Sequence, residues 1–553
     1  MGIMTLILVL AFILRLVRLN DSFWLDEAAQ VLESTRPLAE QLQIAGDFQP
    51  PLMHLLTFFW LKFLAIFGLE RSELLVRFLP SVIPGLVSVW ATYQIALKFW
   101  PKTKKDTAKT SAANTGTTKT NATKTSKKNA LAFFSALLLA TSPLHVYFSQ
   151  ELRPYSLAMM WGCLSLLSLL NLSQDNTLPS LKSAAKAKNS AAANTTNTAA
   201  STNTAKIFNK HTLTFIIFNL LGLYSSYLYP FFLLAQLAYL FFVKKIDFKK
   251  LLLIVAPIAL GFLPWLPKLL EQVRVGQALR QQMPGWAEVV SLPQLKSLLF
   301  VPLKFIYGLL DLEVNVFFVA TALLIFGLLA YLLFQQRKLK STKQSVIFFI
   351  YFFLAPLLIM WLFSFFIPVL QPKRVLFLMP AFFILISQTV LYAQKKHQPL
   401  ALLLLFSLFA IHLYALISYW YKPALQRENW RGLVQRIEYN FPSQNAVAVF
   451  SFSAPFAPFA YYTDNKFPTF ATQSLYLPAE TDLANKIKVI SDYDYVLLFD
   501  YLRDLTDPQD QLPALIKDLS FAEIGLIDYP NIGFVRMYSK ESITAYEGGS
   551  RCQ

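Results

Sequence analysis

The stretch Phe23-Trp24-Leu25-Asp26-Glu27-Ala28 directly follows the first apolar segment of the chain. Its position there places two adjacent carboxylates, beside a tryptophan, at a membrane surface. An ionised group near a bilayer is costly unless water or a partner reaches it, so acids at this depth are candidate functional groups. A solvated loop just outside a signal anchor is the alternative for the acidic pair taken alone.

Composition identifies the class of protein. Of 553 residues, 55% are hydrophobic and 15% aromatic, whereas soluble domains contain about 45–50% apolar residues. The net charge of +18 comes largely from lysines in short runs between apolar segments, a pattern that orients helices in a bilayer, so we expect no nucleic-acid partner. Two cysteines define no disulfide framework, and the five histidines show no zinc-motif spacing.

The apolar segments predict a mainly α-helical polytopic membrane protein with about eleven transmembrane helices. Met4–Leu19 is interpreted as a retained first helix because it lacks a basic n-region and a cleavage site. The first outer loop, residues 21–74, carries a short apolar piece, Leu55–Phe67, that we expect to lie in the interface. The other helices are predicted at about 75–98, 130–147, 155–172, 212–229, 231–243, 251–267, 314–335, 345–367, 375–393 and 399–420, with a second interfacial segment at 296–310 inside an outer loop, 268–313. With this count every lysine-rich turn falls on one side, the cytoplasm, and Asp26 lies outside.

Three regions interrupt or follow the helices of the 1–420 membrane domain. Residues 99–129 and 173–210 are rich in Ala, Asn, Thr and Lys, cannot bury a core, and are predicted to be disordered cytoplasmic linkers. Residues 421–553 have soluble character, with strand-like runs at 446–450, 495–499 and 532–538. Strands alternating with helical stretches predict a small α/β domain, which the helix count places on the outer face.

The polar residues collected on the outer face form a candidate site. Asp26 could accept the proton of a reacting hydroxyl, with Glu27 beside it. Arg153, Lys373 and Arg374 could neutralise a departing phosphate. The expected substrate pocket contains Gln49, His54, Glu151, Tyr155 and Tyr227. Contact with a lipid headgroup, or pairing with Glu151, is the alternative for Arg153 and Arg374, and an interfacial role is the commoner one for a histidine such as His54.

Four motifs, in this order and on this side, resemble a known family. They are Trp24-Leu25-Asp26-Glu27-Ala28, Pro50-Pro51-Leu52, Ser149-Gln150-Glu151-Leu152-Arg153-Pro154-Tyr155, and Pro372-Lys373-Arg374-Val375-Leu376 leading to Pro380. These motifs resemble those of bacterial members of the polytopic GT-C glycosyltransferases, akin to the protein mannosyltransferases and the lipid A aminoarabinose transferase (glycosyltransferase family 39-like). Glu428-Asn429-Trp430-Arg431-Gly432-Leu433 is similar to the segment that opens the C-terminal domain of such proteins.

The resemblance implies an inverting glycosyltransferase of the bacterial inner or plasma membrane, with its active site and C-terminal domain outside. It implies a polyprenyl-phosphate sugar as donor, with Asp26 as catalytic base and Glu27 supporting it. The acceptor could be a lipid, a glycan or a protein, and a divalent metal is left open. Relatives often place His, or Glu followed by Lys, before the Pro-Pro pair, and here that place holds Phe48-Gln49.

Two other classes of function fit a polytopic protein. A transporter or flippase of lipid-linked glycans is expected to carry charges and broken segments at mid-membrane depth, whereas here the polar groups gather at one face. A ligase or polymerase of lipid-linked glycans is expected to centre on a large outer loop late in the chain. The early acids therefore favour the glycosyltransferase.

Overall fold

The structure is a computed structural model. It describes residues 2–44, 46–98, 118–174, 209–283, 294–311, 315–336, 343–393, 395–453, 456–472, 477 and 480–540. The second predicted linker lies outside this part of the chain, apart from its first and last residues.

The described part of the membrane domain consists of helices joined by loops and turns, without a strand. Its helices are α1 (Ile3–Leu16), α2 (Leu25–Ser34), α3 (Leu52–Ala65), α4 (Glu73–Lys98), α5 (Thr118–Thr141), α6 (Pro143–Phe148), α7 (Tyr155–Gln174), α8 (Lys210–Leu223), α9 (Tyr229–Val243), α10 (Phe248–Gln282), α11 (Gln294–Tyr307), α12 (Val316–Gln336), α13 (Lys343–Phe363), α14 (Pro372–Leu391) and α15 (Lys395–Tyr421). The centre of the bundle is formed by α4 and α7, which pack on each other, with α5 against α4 and α8 against α7. Helix α14 packs against α5 and is buried almost throughout.

Seven of these helices are long and apolar enough to cross a membrane, namely α4, α7, α10 and α12–α15, and α1, α3, α8 and α9 are shorter apolar helices. Helix α12 leaves large apolar side chains such as Phe317 and Leu323 exposed, as expected of a helix that faces lipid rather than water. The prediction of a mainly helical polytopic membrane protein is confirmed. The number eleven is not confirmed among the described residues.

Two helices extend well beyond their predicted bounds. Helix α5 begins at Thr118, so the last part of the stretch predicted as the linker 99–129 is helical. Helix α10 continues to Gln282 instead of ending near residue 267. Two prolines of this helix lie near its predicted end. Pro264 is in a 3-10 turn, Leu263–Trp265, and Pro267 is in the first turn of the segment that follows. Proline is tolerated at such positions because its missing N–H would have no partner there. The second predicted interfacial segment is the helix α11.

The C-terminal domain is a five-stranded sheet with helices, which confirms the predicted α/β class. It contains α16 (Trp430–Asn440), α17 (Ala457–Tyr462), α18 (Leu483–Lys486), α19 (Arg503–Thr506) and α20 (Gln511–Asp518). Its strands are β1 (Ala446–Ser453), β2 (Thr469–Thr472), β3 (Tyr495–Phe499), β4 (Phe521–Tyr529) and β5 (Gly533–Lys540), in the order β2-β1-β3-β5-β4. β1 is parallel to β2 and β3, whereas β5 is antiparallel to β3 and β4.

Alternation along β1 explains the two cores of this domain. Ala448 and Phe450 face the cluster that contains Trp430, whereas Val447 and Val449 face the cluster that contains Ile516. Successive residues of a strand point to opposite faces, so a strand with apolar side chains at every position is buried on both sides. β1 therefore lies between α16 and α20.

Hydrogen bonds and an ion pair join the C-terminal domain to the first loop, residues 21–74. The backbone N–H of Phe23 donates to the hydroxyl of Tyr462 over 2.7 Å, and that hydroxyl donates to Glu73 over 3.1 Å. Arg431 pairs with the same carboxylate over 2.9 Å. Phe23 also packs edge-on against Tyr461. The start of α16, the helix α17 and the first loop thus form one packed unit around the Trp24–Glu27 segment.

A buried ion pair holds that segment to the bundle. Glu27 and Arg77 are both fully buried, and the guanidinium binds the carboxylate with two hydrogen bonds of 2.8 and 2.6 Å. Arg77 also donates to the backbone carbonyls of Leu19, Asp21 and Ser22. One arginine of α4 therefore fixes both the end of the first apolar segment and the start of α2.

Glu27→Gln is expected to destabilise the protein by about 3–5 kcal/mol, because removing one partner of a buried ion pair leaves an uncompensated charge. The measurement is thermal or denaturant unfolding in detergent. Asp26→Asn, a change of the same kind at the neighbouring, partly exposed carboxylate, is the control and should unfold close to the wild type. Equal unfolding of the two variants would contradict this role of Glu27.

Candidate active site

Asp26 and Glu27 are neighbours in the first turn of α2, but their side chains point in different directions. Glu27 points into the bundle toward Arg77, whereas the side chain of Asp26 is 35% exposed. Adjacent residues of a helix point about 100° apart, so an anchored Glu27 turns Asp26 toward the open side. Both acids lie in the first turn of the helix, where the macrodipole stabilises negative charge.

Arg153 lies between Asp26 and a second acid that the sequence did not single out. Its Nε is 3.7 Å from Asp26 Oδ2, and its Nη2 is 3.6 Å from Asp47 Oδ1. Burial alone would lower the pKa of Arg153, but the charges of Asp26 and Asp47 outweigh burial and raise it. Arg153 therefore stays charged beside Asp26. Its Nε is buried and has no hydrogen-bond partner among the described residues.

Lys373 and Arg374 begin α14 on the same side of the site. The Nζ of Lys373 lies 5.5 Å from the ring centre of Tyr155 and 5.9 Å from that of Trp24, a cation–π arrangement. Its charge interacts with those of Asp26 and Glu151. Arg374 donates to the carbonyl of Val369 over 3.2 Å, and its charge also interacts with that of Asp26. The three predicted phosphate-binding cations thus share one region with Asp26.

Glu151 is a buried carboxyl group in the turn between α6 and α7. Burial raises its pKa to about 7, because Glu27 and Asp26 add to burial while Arg427 and Lys373 only partly oppose it. Its Oε1 has no hydrogen-bond partner among the described residues, and the same holds for Trp24 Nε1. Two buried polar atoms near Asp26 are therefore free to bind a ligand.

Gln49 and His54 join Asp47 rather than Asp26. The Nε2 of His54 lies 2.7 Å from Asp47 Oδ2, and the amide nitrogen of Gln49 contacts both Asp47 and His54. Burial raises the pKa of Asp47, but Arg153, His54 and Gln49 together lower it below its usual value. Gln49 and His54 therefore lie on the far side of Arg153 from Asp26.

Tyr227 is connected to the same loop through a glutamine of α10. Its hydroxyl donates to Gln272 and accepts from Trp265 Nε1 over 2.9 Å. The amide nitrogen of Gln272 donates to the carbonyl of Asp47 over 2.7 Å. Tyr227 thus supports the Asp47 loop and, within the described residues, forms no hydrogen bond with Asp26.

The C-terminal domain contributes two site residues that sequence reasoning missed. Arg427 is buried with its guanidinium 4.3 Å from the ring centre of Tyr147, and its Nε lies 3.7 Å from Glu27 Oε2. Glu428 accepts hydrogen bonds from Trp430 Nε1 over 2.6 Å and from the hydroxyl of Tyr501 over 2.8 Å. The resemblance of the 428–433 segment was the only signal that pointed to this region.

Glu428 also accepts a hydrogen bond from the backbone N–H of Leu25, the first residue of α2, whose N–H has no partner inside the helix. Burial raises the pKa of Glu428 to about 7, although hydrogen bonds from Trp430, Tyr501 and Leu25 lower it. Glu428, whose pKa is about 7, thus contacts Leu25, the residue next to Asp26 in the chain.

Comparisons with known proteins agree with this architecture. No family model and no curated protein sequence matches the chain. The crystal structure of apo ArnT, the aminoarabinose transferase of Cupriavidus metallidurans, is similar with a TM-score of 0.50 and 12% identity, over 99% of this chain and 98% of that one. The oligosaccharyltransferase of Archaeoglobus fulgidus, tethered to an acceptor peptide, is similar with a TM-score of 0.50 and 14% identity, over 98% of this chain and 74% of that one. Both are GT-C glycosyltransferases, and the likeness establishes a shared fold.

The stability of the protein is expected to depend on the protonation of Glu428. Its pKa is raised from the ordinary 4.5 to about 7 in the folded chain. The contribution of Glu428 to the free energy of unfolding is therefore complete below pH 4.5 and is lost as the pH rises through 7. Each pKa unit corresponds to about 1.4 kcal/mol. Glu428→Gln keeps a neutral side chain at every pH, and the Tyr501 hydroxyl can reverse its hydrogen bond to suit it.

The midpoint of thermal unfolding is therefore measured for the wild type and for Glu428→Gln from pH 5 to pH 8. Over this range the midpoint of the wild type should fall by several degrees more than that of the variant. Because Glu151 is unchanged in both proteins, the difference between the two curves isolates Glu428. Parallel curves across this range would show that Glu428 is already ionised.

Proposed function

We propose that the protein is an inverting glycosyltransferase that moves a sugar from a polyprenyl-phosphate donor to an acceptor hydroxyl. The observation that carries this proposal is the partly exposed carboxylate of Asp26, 3.7 Å from Arg153 and within the electrostatic influence of Lys373 and Arg374. A base beside a group of cations suits a reaction that deprotonates a nucleophile and releases a phosphate.

The proposed reaction is a single in-line displacement. The acceptor oxygen attacks the anomeric carbon in line, and the bond between that carbon and the phosphate oxygen breaks. Asp26 accepts the acceptor proton as the new bond forms, and the electron pair leaves with the polyprenyl phosphate. Inversion at the anomeric carbon is the consequence of a single displacement.

The contacts of the cations support their proposed role of stabilising the leaving group. Arg153 is only 15% exposed and makes contacts of 3.6–3.7 Å with its two acids, too long for strong hydrogen bonds. A phosphate oxygen could therefore accept a hydrogen bond from Arg153 Nε, which has no hydrogen-bond partner among the described residues. Lys373 lies in an aromatic setting formed by Trp24 and Tyr155, where its charge is screened less than in bulk water.

The remaining groups support the same reaction without taking part in it. Glu27 anchors Asp26 through Arg77. Glu151, with a pKa of about 7, adds little negative charge near the phosphate while it is protonated. The neighbouring structures are an aminoarabinose transferase and an oligosaccharyltransferase tethered to an acceptor peptide, which favours glycosyl transfer over transport. The extracytoplasmic position of the site rests on the distribution of lysines.

Asp26→Asn is expected to reduce kcat by about 10²–10⁴-fold, the contribution of a general base. The donor for the assay is identified by mass analysis of the polyprenyl-phosphate sugars that accumulate when the gene is deleted. Turnover is then measured with the purified enzyme in lipid. Activity within a few-fold of the wild type would remove Asp26 from the role of base.

Arg153→Ala is expected to raise KM for the donor at least tenfold and to change KM for the acceptor much less, because only the donor carries the phosphate. Arg436→Ala, at an exposed arginine of α16, is the matched control. Equal effects on both substrates would instead indicate that Arg153 only holds the Asp26 and Asp47 segments in place.

A further inference from the structure

A cavity separate from the candidate active site lies between the first loop and the C-terminal domain. Its volume is about 460 Å³, within the range of about 300–1,000 Å³ that is usual for small-molecule sites. Its walls come from the second half of α2, the second half of α3, the turn after α3, and the end of α17 with the turn that follows. Asp26, Arg153 and Lys373 do not line it.

Much of the wall of this cavity is apolar. Side chains of α2, α3 and α17 form this part of the wall, namely Val31, Leu32, Phe58, Leu61, Ala65 and Ala460. Because apolar surface is costly to keep in water, the wall favours a ligand that has a hydrocarbon part.

Helix α3 also has an exposed apolar face beside the cavity. The side chains of this face are between 48% and 75% exposed and belong to Phe59, Phe63, Ile66 and Phe67. Successive residues of a helix point about 100° apart, so Lys62 lies between this face and the one that carries Phe58 and Leu61. A short helix with such a face next to a lysine is typical of one that lies in a membrane interface. The cavity is therefore within reach of lipid headgroups.

The polar residues that line the cavity carry charges of both signs. Three are cations, Lys62, Arg71 and Lys466, and two are acids, Glu70 and Asp464. Asp464 pairs with Arg71 and also, over 3.5 Å, with Lys466, so one carboxylate serves two cations. Lys62 lies 5.8 Å from the ring centre of Phe58. The cations exceed the acids by one, which suits a phosphate group.

Two side chains of the lining have a buried oxygen without a partner. Neither Glu70 Oε2 nor the hydroxyl of Tyr461 has a hydrogen-bond partner among the described residues, and Tyr461 is only 8% exposed. Buried polar atoms normally have such a partner. The last torsion of a glutamate side chain is soft, so either oxygen of Glu70 can turn toward the cavity. There it could accept hydrogen bonds from a cationic group of a ligand.

We propose that this cavity binds the headgroup of an aminophospholipid, in which a primary ammonium is linked to the phosphate as in phosphatidylethanolamine. The phosphate lies among Lys62, Arg71 and Lys466, the ammonium donates to Glu70, and the start of an acyl chain lies on the apolar wall. A phospholipid without an amine leaves Glu70 without a partner, and a trimethylammonium group has no hydrogen to donate. A bound lipid would join the C-terminal domain to α3 at the membrane surface, whether or not the protein transfers sugars.

The test is lipid binding by the full-length protein, purified in detergent and stripped of lipid. Native mass spectrometry with dioleoyl phosphatidylethanolamine, phosphatidylglycerol and phosphatidylcholine gives the Kd of the first lipid bound. The Kd for phosphatidylethanolamine should be at least tenfold lower than the other two, and this lipid should raise the midpoint of thermal unfolding most. Equal Kd values would overturn the proposal. A preference for phosphatidylglycerol would also overturn it and would indicate an anionic phospholipid as the occupant.

Glu70→Gln should weaken the binding of phosphatidylethanolamine about tenfold and leave that of phosphatidylglycerol unchanged, because only the ammonium contacts Glu70. Lys62→Gln should weaken the binding of both lipids, because both carry the phosphate. Glu40→Gln and Lys517→Gln, at an exposed acid and an exposed lysine elsewhere, are the matched controls and should bind like the wild type. A preference for phosphatidylethanolamine that survives in Glu70→Gln would contradict the assigned role of this carboxylate and overturn the proposal.

Ala65→Trp locates the binding in this cavity. Ala65 is an exposed residue of the lining, so a large ring there fills the cavity without disturbing a packed core. The variant should lose the tight binding of phosphatidylethanolamine, whereas Ala514→Trp, at an exposed alanine of α20, should keep it. Tight binding retained in Ala65→Trp would show that the lipid binds elsewhere.

Discussion

The buried pair of Glu27 and Arg77 is the constraint on which the site depends. Besides the two hydrogen bonds between them, Glu27 accepts the backbone N–H of Leu152 over 2.7 Å. One carboxylate therefore joins α2, α4 and the turn before α7. Charge–charge attraction between Glu27 and its two arginines outweighs burial and lowers the pKa of Glu27, so the pair remains ionised. Buried pairs of this kind are costly to form but fix geometry once formed, and here they fix the direction of Asp26.

Around this anchor, the site balances charges that are mostly withdrawn from water. Arg153, Lys373 and Arg427 lie among Asp26, Asp47 and Glu151, so each buried cation has an acid within reach. Fixed charges in a water-poor site stabilise a developing charge without reorganising at the moment of reaction. Because burial raises the pKa values of Glu151 and Glu428 to about 7, the net charge of the site depends on pH near neutrality. The cations therefore face fewer competing negative charges when these two carboxyl groups are protonated.

Local patterns predicted what depends on local sequence. Apolar runs located the long helices and the strands β1, β3 and β5. β4 was missed because exposed residues interrupt its apolar run, as is common for an edge strand. The predicted membrane topology also assigned Asp26, Arg153, Lys373 and Arg374 to one face of the protein. It could not identify Arg77, Asp47 or Arg427, because their partners come from distant segments, as in the contact of Arg427 with Glu27. For the same reason, the sequence could not show that Glu27 is buried while Asp26 is open.

Asp47 links the candidate active site to the buried histidine of α3. Its carboxylate faces Arg153 with one oxygen, at 3.6 Å, and His54 with the other, at 2.7 Å. Because His54 and Gln49 both contact the oxygen that faces away from Arg153, they hold Asp47 in place, and Asp47 in turn holds Arg153 next to Asp26. Two acids from separate segments thus fix the position of one buried guanidinium, which needs no reorganisation when a negatively charged group binds to it.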